Sequence, residues 1–185
     1  SSTKSFGFTR FDPGPGIGGH CIPIDPLYLY WKAKKMGIKP NFIKLAAETN
    51  IKIIEFIRNK IFQIIKKKNI KKNQLKILIL GLAYKKNIDD LRESSSIKLI
   101  NSLYKNNIKK VYFSEPHIKE SIVTRNFKTN KKSIKITSNN LKKFDITVLM
   151  TDHDIFDYNL IYKNSKIIID TRGIYNLEKD KIIRG

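Results

Sequence analysis

Two hydrophobic patterns divide the chain. From residue 26 to residue 68 apolar positions recur at three- and four-residue steps, whereas from residue 75 onward they come in short continuous runs. The first pattern predicts helix and the second predicts strand. Residues 26–36 read as a short amphipathic helix, with Asp25 as its N-cap, Pro26 at its first position and Gly37 just past its end. A long helix is predicted over 40–68, where Ile43, Ala46/Ala47, Ile54, Ile57, Ile61 and Ile64/Ile65 alternate with Lys, Arg and Glu. Further apolar positions on it (Ile51, Ile53, Phe56) leave two readings open: an ordinary core helix, or one that also joins two copies of the chain. Residues 1–24, rich in Gly and Pro, predict loop.

A turn at Lys71–Gln74 separates the two regimes. Beyond it, strands are predicted over 75–80, 110–114, 133–137, 144–151 and 166–171. Helices are predicted over Ser94–Asn106, with Ser94 as N-cap, over His117–Asn126 and over Asn159–Asn164. β-Branched runs alternating with helices imply a parallel sheet covered on both faces. The fold class is therefore α/β, a Rossmann-like doubly wound unit whose ligand sits at the carboxyl ends of the strands. The expected organisation is a cysteine-bearing loop with a short helix over 1–38, a connecting helix over 39–72 and the doubly wound domain over 73–185.

Composition narrows the partners. The 185 residues carry 37 Lys and Arg against 16 Asp and Glu, a formal charge of +21. Such an excess points first to nucleic acid or an acidic membrane surface. Only six of the 37 are Arg, the side chain that grips phosphates and base edges in a fork, and the lysines are spread through every predicted element. Neither nucleic acid nor membrane is the expected partner. A single cysteine rules out an internal disulfide and fits a reducing, cytoplasmic setting. No apolar run reaches the length of a membrane span. The opening residues have neither an initiator Met nor a strand-glycine start, so a preceding segment is expected.

The candidate chemistry lies in Pro13-Gly-Pro-Gly-Ile-Gly-Gly-His-Cys-Ile-Pro-Ile-Asp-Pro26. Gly admits left-handed backbone and close approach, and Pro fixes φ, so this is a shaped loop without obstructing side chains. It ends at the only thiol, Cys21. An ordinary reading makes that cysteine a small buried hydrophobe. The other makes it a presented nucleophile, activated by positive charge or by a helix N-terminus. The predicted strand over 75–80 leads into Gly81-Leu-Ala-Tyr-Lys-Lys-Asn-Ile-Asp-Asp-Leu-Arg-Glu-Ser94, which lacks a GxGxxG turn but offers Lys85, Lys86 and Arg92. The three histidines are too scattered to propose a metal site, and His153 reads as structural.

These stretches resemble the UDP-glucose/GDP-mannose dehydrogenase family. Residues Phe11–Leu29 are similar to its catalytic-cysteine signature, and Gly81–Ser94 to its Gly-x-Ala-Phe/Tyr-Lys-x-x-x-x-Asp-x-Arg-Glu-Ser signature. Asp170-Thr171-Arg172 is similar to its Asp-x-Arg. Gly-Gly-His-Cys and Thr151-Asp-His-x-x-Phe-Asp-Tyr158 look like the branch acting on UDP-N-acetylhexosamines, and Cys21-Ile-Pro-Ile-Asp-Pro-Leu-Tyr-Leu29 with Tyr30-Trp31-Lys32-Ala33 looks, within it, most like the members that oxidise UDP-N-acetylglucosamine at C6. Glu115-Pro116-His117 departs from the usual Asp-Pro-His, a change read as harmless.

The resemblance implies an enzyme that oxidises the C6 alcohol of a UDP-sugar to a carboxylate with two NAD+, supplying precursors for surface polysaccharide. It makes Cys21 the nucleophile, also beside the cofactor, and Asp25 the partner of the attacking water. Gly16, Gly18 and Gly19 give the sugar and nicotinamide access, and Tyr84, Lys85 and Arg172 contact the UDP-sugar, with Lys85 and Arg172 on neighbouring loops. Arg92 reaches toward NAD held by an N-terminal domain that these residues lack. The resemblance further implies a homodimer through the long helix. The 185 residues by themselves are expected to be inactive. Two rivals stay open: a non-catalytic UDP-sugar-binding or dimerisation module, and a basic nucleic-acid-binding domain.

Overall fold

The computed structural model describes residues 14–118, 122–124, 127–175 and 180–185. Residues 1–13, including the Phe11–Pro13 start of the cysteine signature, lie outside that range, as do parts of the helix predicted over His117–Asn126. Helix α1 spans Cys21–Lys35 and α2 spans Asn41–Lys68. The first begins five residues ahead of the predicted start, so residues 21–24 are helix rather than loop. Pro23 falls in the first turn, where an amide has no helical partner to lose, and Pro26 is accommodated inside the helix. Asp25 is consequently not the N-cap; that position belongs to His20, whose side chain makes no capping bond. Gly37 does follow the helix in a left-handed conformation, φ 79°.

The 28 residues of α2 form the single helix that its periodicity predicts. Only the second half is buried, through Ile54, Ile57, Ile61, Ile64 and Ile65. Ile53 packs against the same core, whereas Ile51 and Phe56 are exposed.

The remaining elements follow as β1 (Ile77–Leu80), α3 (Ser95–Lys105), β2 (Val111–Ser114), β3 (Ile122–Thr124), β4 (Phe127–Thr129), α4 (Ser138–Leu141), β5 (Ile146–Leu149), α5 (Tyr158–Asn164), β6 (Ile168–Asp170) and β7 (Ile182–Arg184). Among the described residues, five strands form one parallel sheet in the order β2-β1-β5-β6-β7. Successive side chains along β1 serve opposite faces. Ile77 and Ile79 pack with the isoleucines of α2 and with Leu99, Ile100 and Leu103 of α3. Leu78 and Leu80 pack with Leu141, Phe144, Phe156 and Ile161 on the other side. The doubly wound α/β prediction holds.

Three local predictions fail. The segment predicted as helix His117–Asn126 contributes instead to an antiparallel hairpin, β3 with β4, where Ile122 faces Thr129 and Thr124 faces Phe127. Ile122, Val123 and Thr124 are β-branched and Phe127 of β4 is aromatic, residue types that fit a pleated strand better than a helix face. The strand predicted at Ser133–Thr137 joins neither sheet: Ser133 is engaged by the backbone of Glu115, and Ile134 donates one bond to the Phe113 carbonyl. Finally, β7 extends the sheet beyond the last predicted strand, its Ile182 adding to the second core cluster.

Candidate active site at the carboxyl edge

The strand order places a switch in winding direction between β1 and β5. The chain leaves β1 toward β2 on one side and returns to β5 on the other, opening a crevice at the carboxyl ends of these two strands. The turn after β1 is fastened at that crevice. Ser94 Oγ donates to the Leu82 carbonyl at 2.6 Å and accepts from the Ile97 amide, capping α3 as predicted. Ser96 Oγ donates to the Gly81 carbonyl, and Thr151 Oγ1, just after β5, donates to the Ala83 carbonyl at 2.6 Å. Tyr84 and Lys85 therefore project from a rigid turn. Tyr84 is half-buried and Lys85 exposed.

The glycine loop is seated directly on this turn. Gly16 and Gly19 have φ of 115° and 90°, a conformation that favours glycine. A Cβ on Gly19 would lie 3.1 Å from the Tyr84 ring, one on Gly16 would lie 2.8 Å from Ser95 Oγ, and one on Gly18 would collide with Tyr84. The glycines thus let the loop lie flat against the protein itself, before any access they give to a ligand. The Gly19 amide donates to the Arg92 carbonyl at 2.8 Å, and Asn50 Oδ1 of α2 accepts from the Ile17 amide at 2.6 Å. Where the loop begins, Gly14 abuts the Arg172 guanidinium. One loop thus meets Arg172 at its start and Tyr84 and Arg92 at its end, immediately before Cys21.

Cys21 emerges from it as the first residue of α1 and is exposed, so it does not pack as a buried apolar side chain. The His20 imidazole Nδ1 lies 4.0 Å from Sγ. Asp25, also exposed, follows four residues later and shares its helix face. A cavity of about 700 Å³ opens alongside, lined by Gly19, His20, Asp90, Arg92, Lys98 and Thr124 among others. In it the Arg92 guanidinium grips Asp90 through Nε and Nη2 at 2.6–3.1 Å, which holds the Asp90 carboxyl below its usual range and raises the guanidinium.

Arg172 and Lys85 share the edge but not adjacent loops. The loop after β5 stands between them, since β5 separates β1 from β6. From that middle loop Asp152 takes the Arg172 Nε at 2.7 Å. Asp170 turns the chain by accepting from the amides of Arg172, Gly173 and Tyr175. Asp152 and Asp90 stand in the motifs quoted above, though not as holders of Arg172 and Arg92, and Asn50, which holds the glycine loop at Ile17, stands in none. Asp152 had a readable signal, an acid directly after a strong strand; Asn50 had none, being one polar residue in a long helix.

Glu115 and His153 complete the crevice, both buried. The Glu115 carboxylate accepts from the Leu82 and Ala83 amides at 2.7 and 3.0 Å and meets His153 Nε2 at 3.2 Å. Its other oxygen accepts from the His117 amide. Burial pushes this carboxyl up, but the hydrogen bonds from His153, His117, Leu82 and Ala83 together hold it below the usual carboxylate value. The departure from Asp-Pro-His thus lies at a tightly built position. The amides that would receive a dinucleotide pyrophosphate are already used, so this sheet does not fit NAD in the manner of a glycine-rich turn.

Residues 78–177 match the UDP binding domain of the UDP-glucose/GDP-mannose dehydrogenase family, and residues 1–52 match its central domain. The UDP-N-acetyl-D-mannosamine dehydrogenase of Methanococcus vannielii is 35% identical over 173 residues, 89% of this chain and 37% of the relative. The NDP-N-acetyl-D-galactosaminuronic acid dehydrogenase of Ralstonia solanacearum is 30% identical over 90% of this chain and 37% of its own length. Among solved structures, a UDP-D-ManNAc dehydrogenase from Pyrococcus horikoshii superposes with a TM-score of 0.74 at 29% identity, covering 97% of this chain and 40% of its own. The chain thus spans somewhat over a third of the length of these relatives. By these matches the chain belongs to the UDP-glucose/GDP-mannose dehydrogenase family.

Proposed function

We propose that this chain provides the nucleophile and the UDP half-site of a nucleotide-sugar 6-dehydrogenase acting on a UDP-N-acetylhexosamine. The observation that carries the reading is the seating of the glycine loop on Tyr84 and Arg172, which sets an exposed Cys21 beside the carboxyl edge of a UDP-binding domain. Lys85 and Arg172 hold the diphosphate, Arg172 with its guanidinium already oriented by Asp152. The Cys21 thiolate adds to the C6 aldehyde carbon, forming a C–S bond. After that carbon has lost its hydride, water opens the thioester, the thiolate leaves and a carboxylate remains. The start of α1, at Cys21 itself, leaves amides without helical partners, donors of the kind that favour the oxyanion of each adduct. Asp25, one turn along, orients the water.

The hydride acceptors, two NAD+ in this reading, are held by a unit outside these 185 residues, with Arg92 facing it. The motifs favour UDP-N-acetylglucosamine, while several relatives are named for the mannosamine epimer, so both sugars belong in the assay. The chain is expected to bind UDP or either UDP-sugar in calorimetry and to produce no NADH by itself. Joined to a family NAD-binding half it is expected to turn over, and Cys21→Ser is expected to abolish formation of the acid. A wild-type yield of NADH from Cys21→Ser, or steady turnover by the 185 residues alone, would overturn the assignment.

A further inference from the structure

The crevice at the winding switch is where a doubly wound sheet ordinarily receives a ligand's anionic group. Here it is filled from within. Glu115 leaves the end of β2, crosses the end of β1 and meets His153 beyond β5, so its side chain spans three strands. One carboxylate oxygen receives three donors: Leu82 N, Ala83 N and His153 Nε2. The tautomer follows from geometry. The Asn87 amide donates to His153 Nδ1 at 3.0 Å, so that nitrogen bears no hydrogen and Nε2 carries it toward Glu115. Asn87 and Lys86 are in turn tied to Asp154, which follows His153. The turn carrying Tyr84 and Lys85 is thereby clamped at both ends, by Glu115 at Leu82 and Ala83 and by His153 and Asp154 at Lys86 and Asn87.

We propose that the Glu115 carboxylate is a built-in anion, standing where a ligand phosphate would bind at the end of β1, and that with His153 it positions the Tyr84–Lys85 turn for the substrate diphosphate. Glu115 and His153, both buried, are positioning residues. The proposal rests on the reading of Tyr84 and Lys85 as UDP contacts. It explains how a sheet of this topology binds a nucleotide through lysine and arginine side chains with its strand-end amides already committed.

The test combines nuclear magnetic resonance with calorimetry on this chain. In the wild type, excess inorganic phosphate is expected to leave the Leu82 and Ala83 amide signals in place, and the His153 ring nitrogens to report the neutral Nε2–H form. In Glu115→Ala the same two amides are expected to shift when formate is added. UDP binding in that variant should weaken by about tenfold, the scale of one lost charge-assisted hydrogen bond, and formate should restore part of it. If Glu115→Ala does not fold, Glu115→Gln serves: it keeps the shape but must turn an NH2 toward a donor, and the same weakening is expected. Phosphate shifting the two amides in the wild type would overturn the proposal. So would wild-type UDP affinity in the Glu115 variant while Lys85→Ala binds weakly, a result that leaves the diphosphate site intact. If Lys85→Ala also binds as the wild type does, the diphosphate site is what fails, and the response of the two amides to formate still decides the role of the carboxylate.

Discussion

Lys85 and Arg172 approach the same ligand group with different preparation. Arg172 is held by Asp152 and its own backbone is fixed through Asp170, whereas Lys85 is an exposed, flexible cation on a rigid turn. A preoriented planar fork loses less freedom on binding than a four-carbon stem does. Each charge-assisted contact contributes about 1.5–3 kcal/mol, so Lys85→Ala or Arg172→Ala is expected to weaken UDP binding between roughly tenfold and a hundredfold. Arg172→Lys keeps the charge but not the fork, and calorimetry should place it nearer to Arg172→Ala than to the wild type. Unchanged affinity in Lys85→Ala and Arg172→Ala would remove both from the site. At this scale the sequence was informative about the candidate residues themselves, because they sit in contiguous signatures. It was silent on what holds them. Asn50 lies 33 positions from Ile17 and Glu115 lies 38 from His153, separations over which a single chain without its fold carries no pairing signal.

Elements with long, regular periodicity were legible, and short ones were not. The isoleucine spacing of α2 predicts its length and its buried stripe, and the β1, β2, β5 and β6 runs predict the parallel sheet. The hairpin β3–β4 was misread because three-residue strands leave too few positions to separate a period of two from one of 3.6. The start of α1 is not legible because Asp25-Pro26 reads as a cap and first helical residue, whereas the helix carries Pro26 internally. Burial along α2 also bears on assembly. Its second half belongs to the domain core, while Phe42, Leu45 and Ile51 on the first half are 82%, 58% and 66% exposed. Leu27, Tyr28, Leu29 and Trp31 of α1 are exposed as well. Apolar surface of this extent is expected to be covered by a second copy. Sedimentation should give a dimer for the wild type and a monomer for Phe42→Asp/Leu45→Asp. A wild-type chain that stays monomeric at high concentration would exclude the interface.

For the whole molecule, two buried or half-buried carboxylates join strands at opposite edges of the sheet. Asp145 accepts from the Lys76 amide and from Lys166 Nζ at the amino edge, and Glu115 acts at the carboxyl edge. Burial pushes the Asp145 carboxyl up, but these bonds outweigh it and hold it low, as happens at Glu115. A carboxyl whose folded pKa lies below its unfolded value stabilises the fold fully above that unfolded value, 3.8 for Asp and 4.5 for Glu, and loses the contribution as pH falls through the folded one. Thermal unfolding should therefore shift downward as the pH drops below about 5, with a shallower dependence in Glu115→Gln. Identical pH profiles for the two proteins would contradict the role of Glu115. The connections around the glycine loop have one more consequence. Asn50 of α2 holds Ile17, the Arg92 carbonyl holds Gly19, and the short segment after Arg92 runs into α3, which packs back on α2. These links close a triangle. A hinge can fold and a triangle cannot, so the exposed arm of α2 is braced by the loop that carries the thiol, and slackening any corner loosens the other two.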